Sequence, residues 1–334
     1  MKSWRSSFSI TWTGTRRNNA CGTRKIGARG PVASRLLFGT LTMGPAQRNL
    51  SPERGGELIC YAAERGVDFV DTAEYYHTYP HVKEALKVRP ELVVCTKSYA
   101  YDRDGAKRSL ELAQEGIGRE YIDIFLMHEQ ESEMTMRGHR EAFDFYRDMR
   151  AAGVIGAIGI STHYVNAARY AARYADLDIL FPIINYRGLG IVDGTREEME
   201  QAIAAAHGAG IGVLAMKALG GGHMIEQREE AFRYIRALPG IDAVAVGMQS
   251  EAEIDYNVAL FSGETPGEAC ARESAGANRT LIVQDWCEGC GRCAARCGQH
   301  ALHIENGHAV LNEALCVRCG YCAAVCPQFC LKVI

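Results

Sequence analysis

GVDFVDTAEYY, residues 66–76, decides how the rest of this chain is read. The apolar pair Phe69–Val70 runs straight into Asp71, and Tyr76 follows five residues later. Strand alternation puts Phe69, Asp71 and Ala73 on one face. An acid on an inward face is costly unless a cation meets it. Two later apolar runs supply company. LVVCTKSY (92–99) carries Lys97 in phase with Val93 and Cys95, and YIDIFLMHE (121–129) carries His128 in phase with Ile122, Ile124 and Leu126. Any one of these residues alone reads as a solvated or satisfied core side chain. Together, at the ends of separate strands, Asp71, Tyr76, Lys97 and His128 form a set suited to proton transfer.

Outward from that stretch the same period repeats. Strands are expected at 35–39, 68–72, 92–97, 122–128, 156–161, 179–185, 212–217 and 242–247. Between them lie amphipathic segments such as ERGGELICYAAERG and TREEMEQAIAAAHGAG, which end in the glycine expected of a helix stop. Eight β-then-α units predict an α/β fold, a (β/α)8 TIM barrel with its active site at the C-terminal ends of the strands. A doubly wound sheet would want a glycine-rich phosphate turn after the first strand, and none stands there.

From about Arg24 to Gly263 the sequence resembles the aldo/keto reductases, through DFVDTAEYY, VVCTK and YIDIFLMH. The resemblance implies Asp71, Tyr76, Lys97 and His128 as a catalytic tetrad, with NADP or NAD as cofactor and a small aldehyde or ketone as substrate. In that reading Lys97 brings the tyrosine pKa down, Asp71 holds the ammonium, and His128 orients the carbonyl. It also implies carboxamide contacts from Ser161 and Thr162, in GISTH. Phe181 stands where the family has a glutamine, and Met216 where an aromatic stacks on the nicotinamide. The Met216–Lys217 form is similar to an iron–sulfur branch of the family. Backbone amides of Leu219, Gly220 and Gly221 are expected to cradle the pyrophosphate. Ser250, Glu253 and Asn257 are expected at the adenosine. The basic residues that hold a 2′-phosphate are missing there, with Gly247 and Glu253 in their places.

The C-terminal region announces a different chemistry. CEGCGRCAARCGQHALHI (287–304) and CVRCGYCAAVCPQFCLKV (316–333) are an internal repeat, each with C-x2-C-x2-C-x3-C. Thiolates so spaced bind iron, and in two-cluster ferredoxins the fourth cysteine of each run serves the other cluster. Cys287, Cys290, Cys293 and Cys326 are therefore assigned to one [4Fe–4S] cluster, and Cys316, Cys319, Cys322 and Cys297 to a second. Structural zinc would want paired C-x2-C knuckles. This part resembles bacterial ferredoxins. Cys330 replaces the small Ala301 of the first repeat and reads as packing.

Composition fits both halves. The chain has 334 residues, 13 cysteines and a formal charge of -3. So many cysteines, eight of them at ligand spacing after residue 286, imply bound metal in a reducing compartment, expected to be the cytoplasm. The near-neutral balance gives no reason to expect nucleic acid, and no apolar run reaches a membrane span. Residues 1–23 hold Lys2, Arg5, Arg16 and Arg17 without an acid and are expected to be a disordered tail or the product of a start codon read too far upstream. The expected domains are the barrel (24–263), a polar linker (264–283) and a small ferredoxin-like domain (284–334). Two functions compete: a carbonyl reductase with an appended electron-transfer module, served by a flavin, quinone or electron carrier, and an electron-transfer protein whose barrel is a docking scaffold. The intact tetrad favours the first.

Overall fold

The computed structural model describes residues 21–45, 47–174, 176–274, 280–316 and 321–333. Residues 1–20 of the basic tail, and Cys319, lie outside them. Eight parallel strands close into a barrel: β1 (Leu36–Gly39), β2 (Phe69–Asp71), β3 (Val93–Ser98), β4 (Ile122–Met127), β5 (Ile155–Thr162), β6 (Ile179–Pro182), β7 (Gly212–Ala215) and β8 (Ala243–Gly247). Strand β8 returns to β1 with Val244 opposite Leu36 and Gly247 opposite Gly39. Each strand is followed by a helix of the outer ring: α1 (Pro52–Glu64), α2 (Tyr79–Val88), α3 (Arg103–Ile117), α4 (Arg140–Ala151), α5 (Val165–Ala171), α6 (Arg196–Gly208), α7 (Arg228–Ala237) and α8 (Glu251–Ser262).

Local chemistry sets these boundaries. Ser51 and Asp102 accept from the backbone N–H of Arg54 and Gly105 to start α1 and α3, and Gly118 ends α3 in the left-handed region. Thr195 and Glu198 cap α6 reciprocally. Inside the barrel, Leu37, Phe69, Cys95, Ile124, Leu126, Phe181 and Leu214 form a buried apolar cluster. The period-2 pattern then delivers Asp71, Lys97 and His128 one step above that cluster, at the mouth.

The base is sealed by a hairpin that pairs Thr23–Lys25 with Val32–Ser34. Its turn enters the barrel so closely that a Cβ on Gly27 would stand 2.2 Å from the Gly212 nitrogen. Only glycine fits there. Four acids at the base, one beside each even-numbered strand, accept a backbone N–H from the preceding odd strand or its lead-in. They are Asp68 from Ser34 (2.7 Å), Asp123 from Val94 (2.9 Å), Asp178 from Ile158 (3.0 Å) and Asp242 from Val213 (3.0 Å).

The stretch read as a linker contains structure of its own. A helix at Glu268–Ser274 follows α8, and the Cys270 thiol donates to the Ala252 carbonyl at 2.9 Å. Strand β9 (Leu281–Val283) then pairs antiparallel with β12 (Leu331–Val333), while β10 (Leu302–Glu305) pairs with β11 (His308–Leu311). The polar composition of 264–283 hid both elements, because each is short and takes its partner from a remote segment.

Candidate active site

At the end of β2 the chain folds into a 3-10 turn, Glu74–Tyr76, closed by His77 in the left-handed region. Thr78 fixes this turn through hydroxyl contacts with Thr40 (2.7 Å) and Thr72 (2.9 Å). The turn separates two adjacent tyrosines. Tyr76 turns inward, its ring centroid 4.8 Å from Lys97 Nζ. Tyr75 turns outward, donates to Asp285 Oδ1 at 3.0 Å, and meets the Trp286 ring edge-on at 5.8 Å.

Beneath Tyr76, Lys97 Nζ donates to Asp71 Oδ1 at 2.6 Å and to the Thr72 carbonyl at 2.8 Å. Both partners are buried. Phe181 forms the floor, its ring centroid 5.2 Å from the same ammonium. Burial is the largest single influence and works against the lysine's charge, but Asp71, Tyr76 and Cys95 together outweigh it and hold the pKa above the ordinary lysine value. Burial likewise raises Asp71, and Lys97 opposes that rise. The proton therefore stays on nitrogen.

The expectation that Lys97 brings the Tyr76 pKa down needs correction. The ammonium does act in that direction, but burial outweighs it and the hydroxyl is pushed up to about 12. Tyr76 is a firmly protonated donor. His128 lies 5.7 Å from its ring and stacks on Tyr99 at 4.4 Å. Burial, then Lys97 and Lys217, lower the His128 pKa well below the ordinary value, so the imidazole is neutral. Its Nδ1 is buried without a hydrogen-bond partner among the described residues. The structure thus brings all four sequence-predicted residues to one place.

The residues expected around a nicotinamide cofactor divide. Ser161 Oγ accepts from the Glu129 N–H at 2.9 Å, and Thr162 Oγ1 from the Tyr164 N–H at 2.9 Å. Met216 packs between the inner and outer apolar clusters. The Gly220 amide bonds to the Lys217 carbonyl at 2.8 Å. Ser250 caps α8, and Glu253 accepts from the Gln249 N–H at 2.8 Å. Asn257 is buried, and its Oδ1 has no partner among the described residues. Together with His128 Nδ1, it leaves polar capacity for a bound molecule. Sequence reading missed Arg48 and Arg228, which lower the pKa of the half-buried Glu253 against the larger, raising effect of its desolvation. Nothing in their sequence positions singled them out.

The cysteine-rich domain meets the barrel at this mouth. Cys287, Cys290 and Cys326 all act electrostatically on Cys293. Backbone N–H groups point at the sulfurs of three cysteines of the repeat: Gly289 at Cys287 (3.5 Å), Ala301 at Cys297 (3.3 Å) and Cys330 at Cys326 (3.2 Å). Such contacts stabilise thiolates, so the described cysteines fit iron–sulfur ligation. A cavity of ≈ 630 Å³ at the seam is lined by Gly190, Arg292, Arg296 and Cys326. Phe329 packs into the barrel's outer core, and Lys217 and Gly221 lie against it. Part of the segment expected to cradle pyrophosphate is therefore covered by the C-terminal domain.

The profile of the aldo/keto reductase family matches residues 35–237. The chain belongs to the aldo/keto reductase family. A second profile, the 4Fe-4S dicluster domain, matches residues 279–327. The D-threo-aldose 1-dehydrogenase of a Pseudomonas species is 26% identical over 188 residues, 46% of this chain and 57% of that protein. The chain thus spans little more than half the length of that relative. L-galactose dehydrogenase of Arabidopsis thaliana is 21% identical over 282 residues, 72% of this chain and 88% of the relative. Among solved structures, an aldo-keto reductase of Bombyx mori in complex with NADP superposes with a TM-score of 0.56 at 19% identity, covering 76% of this chain and 91% of that one. One from Bacillus halodurans, in its holo form, gives 0.59 at 17% identity, covering 75% and 94%. These two establish the shared barrel fold. Among the described residues, no helix is long and apolar enough to cross a membrane.

Proposed function

We propose that this aldo/keto reductase reduces a small aldehyde or ketone with NADPH or NADH, or runs the reverse alcohol oxidation, with Tyr76 as the general acid. The observation that carries this reading is the buried Asp71–Lys97 pair at 2.6 Å lying directly under Tyr76. A scaffold has no need of a buried ion pair, which contributes little net stability. When bound, the nicotinamide would supply or accept the hydride. Neutral His128 holds the carbonyl oxygen by a hydrogen bond. Tyr76 gives its proton to the oxygen as negative charge develops there, and an alkoxide is more basic than a phenolate even at about 12. Lys97 stabilises the phenolate left behind. Asn257 would hold the adenosine end.

The C-terminal domain would hold two [4Fe–4S] clusters, which supply one-electron transfer when bound. Trp286, next to Cys287, touches Tyr75, and Tyr75 lies 6.1 Å from Tyr99, which stacks on His128. This contact supports a domain that walls the substrate pocket and exchanges electrons with a flavin, a quinone or a carrier protein.

The test is NAD(P)H oxidation by anaerobically purified protein against a panel of carbonyls and quinones. Two curated relatives are named as sugar dehydrogenases, so aldoses with NAD(P)+, read as NAD(P)H formation, test the reverse oxidation. Activity with carbonyls but not with a Tyr76→Phe variant supports the reductase reading. Activity with quinones alone would move the choice to the electron-transfer protein. Each charge-assisted bond to a 2′-phosphate contributes about 1.5–3 kcal/mol. Without the basic pair after β8, the preference for NADPH over NADH is expected to stay below ~100-fold. A larger ratio in paired kcat/KM measurements would point to Arg48 or Arg228 as the phosphate ligand.

A further inference from the structure

Phe329, three residues beyond Cys326, fastens the cluster domain to the barrel, and two lysines close around it. Its φ of 52° lies in the left-handed region, a conformation that persists only where the surroundings impose it. A Cβ on Gly190 would stand 1.8 Å from the Phe329 ring, so that ring occupies the space of a missing side chain. Lys217, following β7, is also left-handed, with φ 56°. Its Nζ lies 4.1 Å from the ring centroid, and Lys332 Nζ, from β12, lies 5.1 Å from it.

Lys332 is 6% exposed, and neither lysine forms an ion pair among the described residues. The surrounding titratable groups are His163 and His223, whose rings lie 6.4 and 6.2 Å from Phe329, with Arg187 near His223 and Glu129 near Lys217. Burial and mutual repulsion depress the Lys332 pKa, and burial depresses that of Lys217. A buried ammonium beside a half-buried one is costly unless anions lie close. Both close on the Phe329 ring, and the Phe329 N–H bonds to the Cys326 carbonyl at 3.3 Å, so both stand beside the Cys326 turn. Cys326 is the remote ligand assigned to the first cluster. With its four thiolates, an oxidised four-iron cluster carries net negative charge, and one-electron reduction makes it more negative.

We propose that Lys217 of the barrel and Lys332 of the tail together form the positive outer sphere of the cluster held by Cys287, Cys290, Cys293 and Cys326. They raise its reduction potential, so that an electron on it is stabilised at the barrel mouth. The inference rests on the cluster assignment given above. The step is simple in its balance. One electron from an external one-electron donor reduces the cluster iron, no bond forms or breaks, and the two ammonium groups stabilise the added charge. Net charge near the cluster is one of the quantities that set such potentials.

The test is a dithionite titration of the full chain with redox mediators, followed by electron paramagnetic resonance. The signal lost in Cys290→Ser identifies the first cluster. Lys217→Gln and Lys332→Gln should each lower its reduced-to-oxidised ratio at fixed potential about tenfold, which is about 59 mV for a one-electron couple. Lys217→Arg should restore the ratio, and the second cluster should hold its value. Should Lys332→Gln lose iron, the Lys217 pair of variants carries the test, since that residue lies on the barrel. An unchanged first potential in iron-replete Lys217→Gln overturns the proposal, and so does an equal shift of both clusters. Iron short of two clusters in the wild type, or a first signal that survives Cys326→Ser, would instead refute the ligand assignment.

Discussion

The two ends of this barrel use the same residue types to opposite effect. At the base, acids are saturated: Asp242 accepts from the N–H of Gly27 and Val213 and pairs with Arg24 at 3.1 Å, and Asp178 pairs with Arg29 and Arg150 while capping Ile158. At the mouth, Asp71 meets one lysine, and His128 Nδ1, His163 Nε2, His223 Nε2 and Asn257 Oδ1 are buried without partners among the described residues. Saturated polar groups lock a structure, whereas buried groups left unsatisfied destabilise it until something binds. The base spends its charges on fold, the mouth on chemistry.

The sharpest break in that comparison is Tyr76→Phe. It removes one oxygen and should lower carbonyl reduction by about 10²–10⁴-fold, with an unchanged unfolding midpoint. A loss of stability on the same scale would make Tyr76 a structural residue. Asp242→Ala should do the reverse. Two backbone N–H groups lose a charged acceptor, so unfolding in urea should come about 3 kcal/mol more easily, while kcat of the folded fraction holds.

The histidines at the mouth also predict a pH dependence. Burial holds His128, His163 and His223 below the ordinary histidine value, His223 at about 4. Below about pH 6.5 the unfolded chain takes up protons that the folded one refuses, so stability falls as pH drops. Each such histidine contributes a slope of at most about 1.4 kcal/mol per pH unit. Urea midpoints measured between about pH 7.5 and 5.5 should fall for the wild type and fall less for His128→Gln. Equal slopes would mean that His128 is protonated in the folded protein. The smallest effect is expected of Tyr75→Phe, which removes one exposed hydrogen bond to Asp285. It should cost less than about 1 kcal/mol and show as faster hydrogen exchange at the domain seam, with carbonyl reduction intact.

Legibility followed periodicity. The barrel and the four mouth residues stood in the sequence because strand alternation is local, and it carried Asp71, Lys97 and His128 to the same face. The thiolate spacing was legible for the same reason. The direction of the Tyr76 pKa was not, because burial depends on everything packed around the ring. Nor was the local use of Ser250 and Glu253, since the same two residues that could reach an adenosine also make a good helix cap. Phe329 read as an ordinary residue between Gln328 and Cys330. Only the missing side chain of Gly190, far back in the chain, gives it a place.

The pairing of β9 with β12 also fixes an order of manufacture. The C-terminal domain begins and finishes in one two-stranded sheet, with Leu281 opposite Val333. The barrel's strands and helices are all made before residue 263, but the wall that Phe329 and Trp286 add to its mouth waits until residue 333 has emerged. A chain cut before that point would keep its four mouth residues and lose the wall.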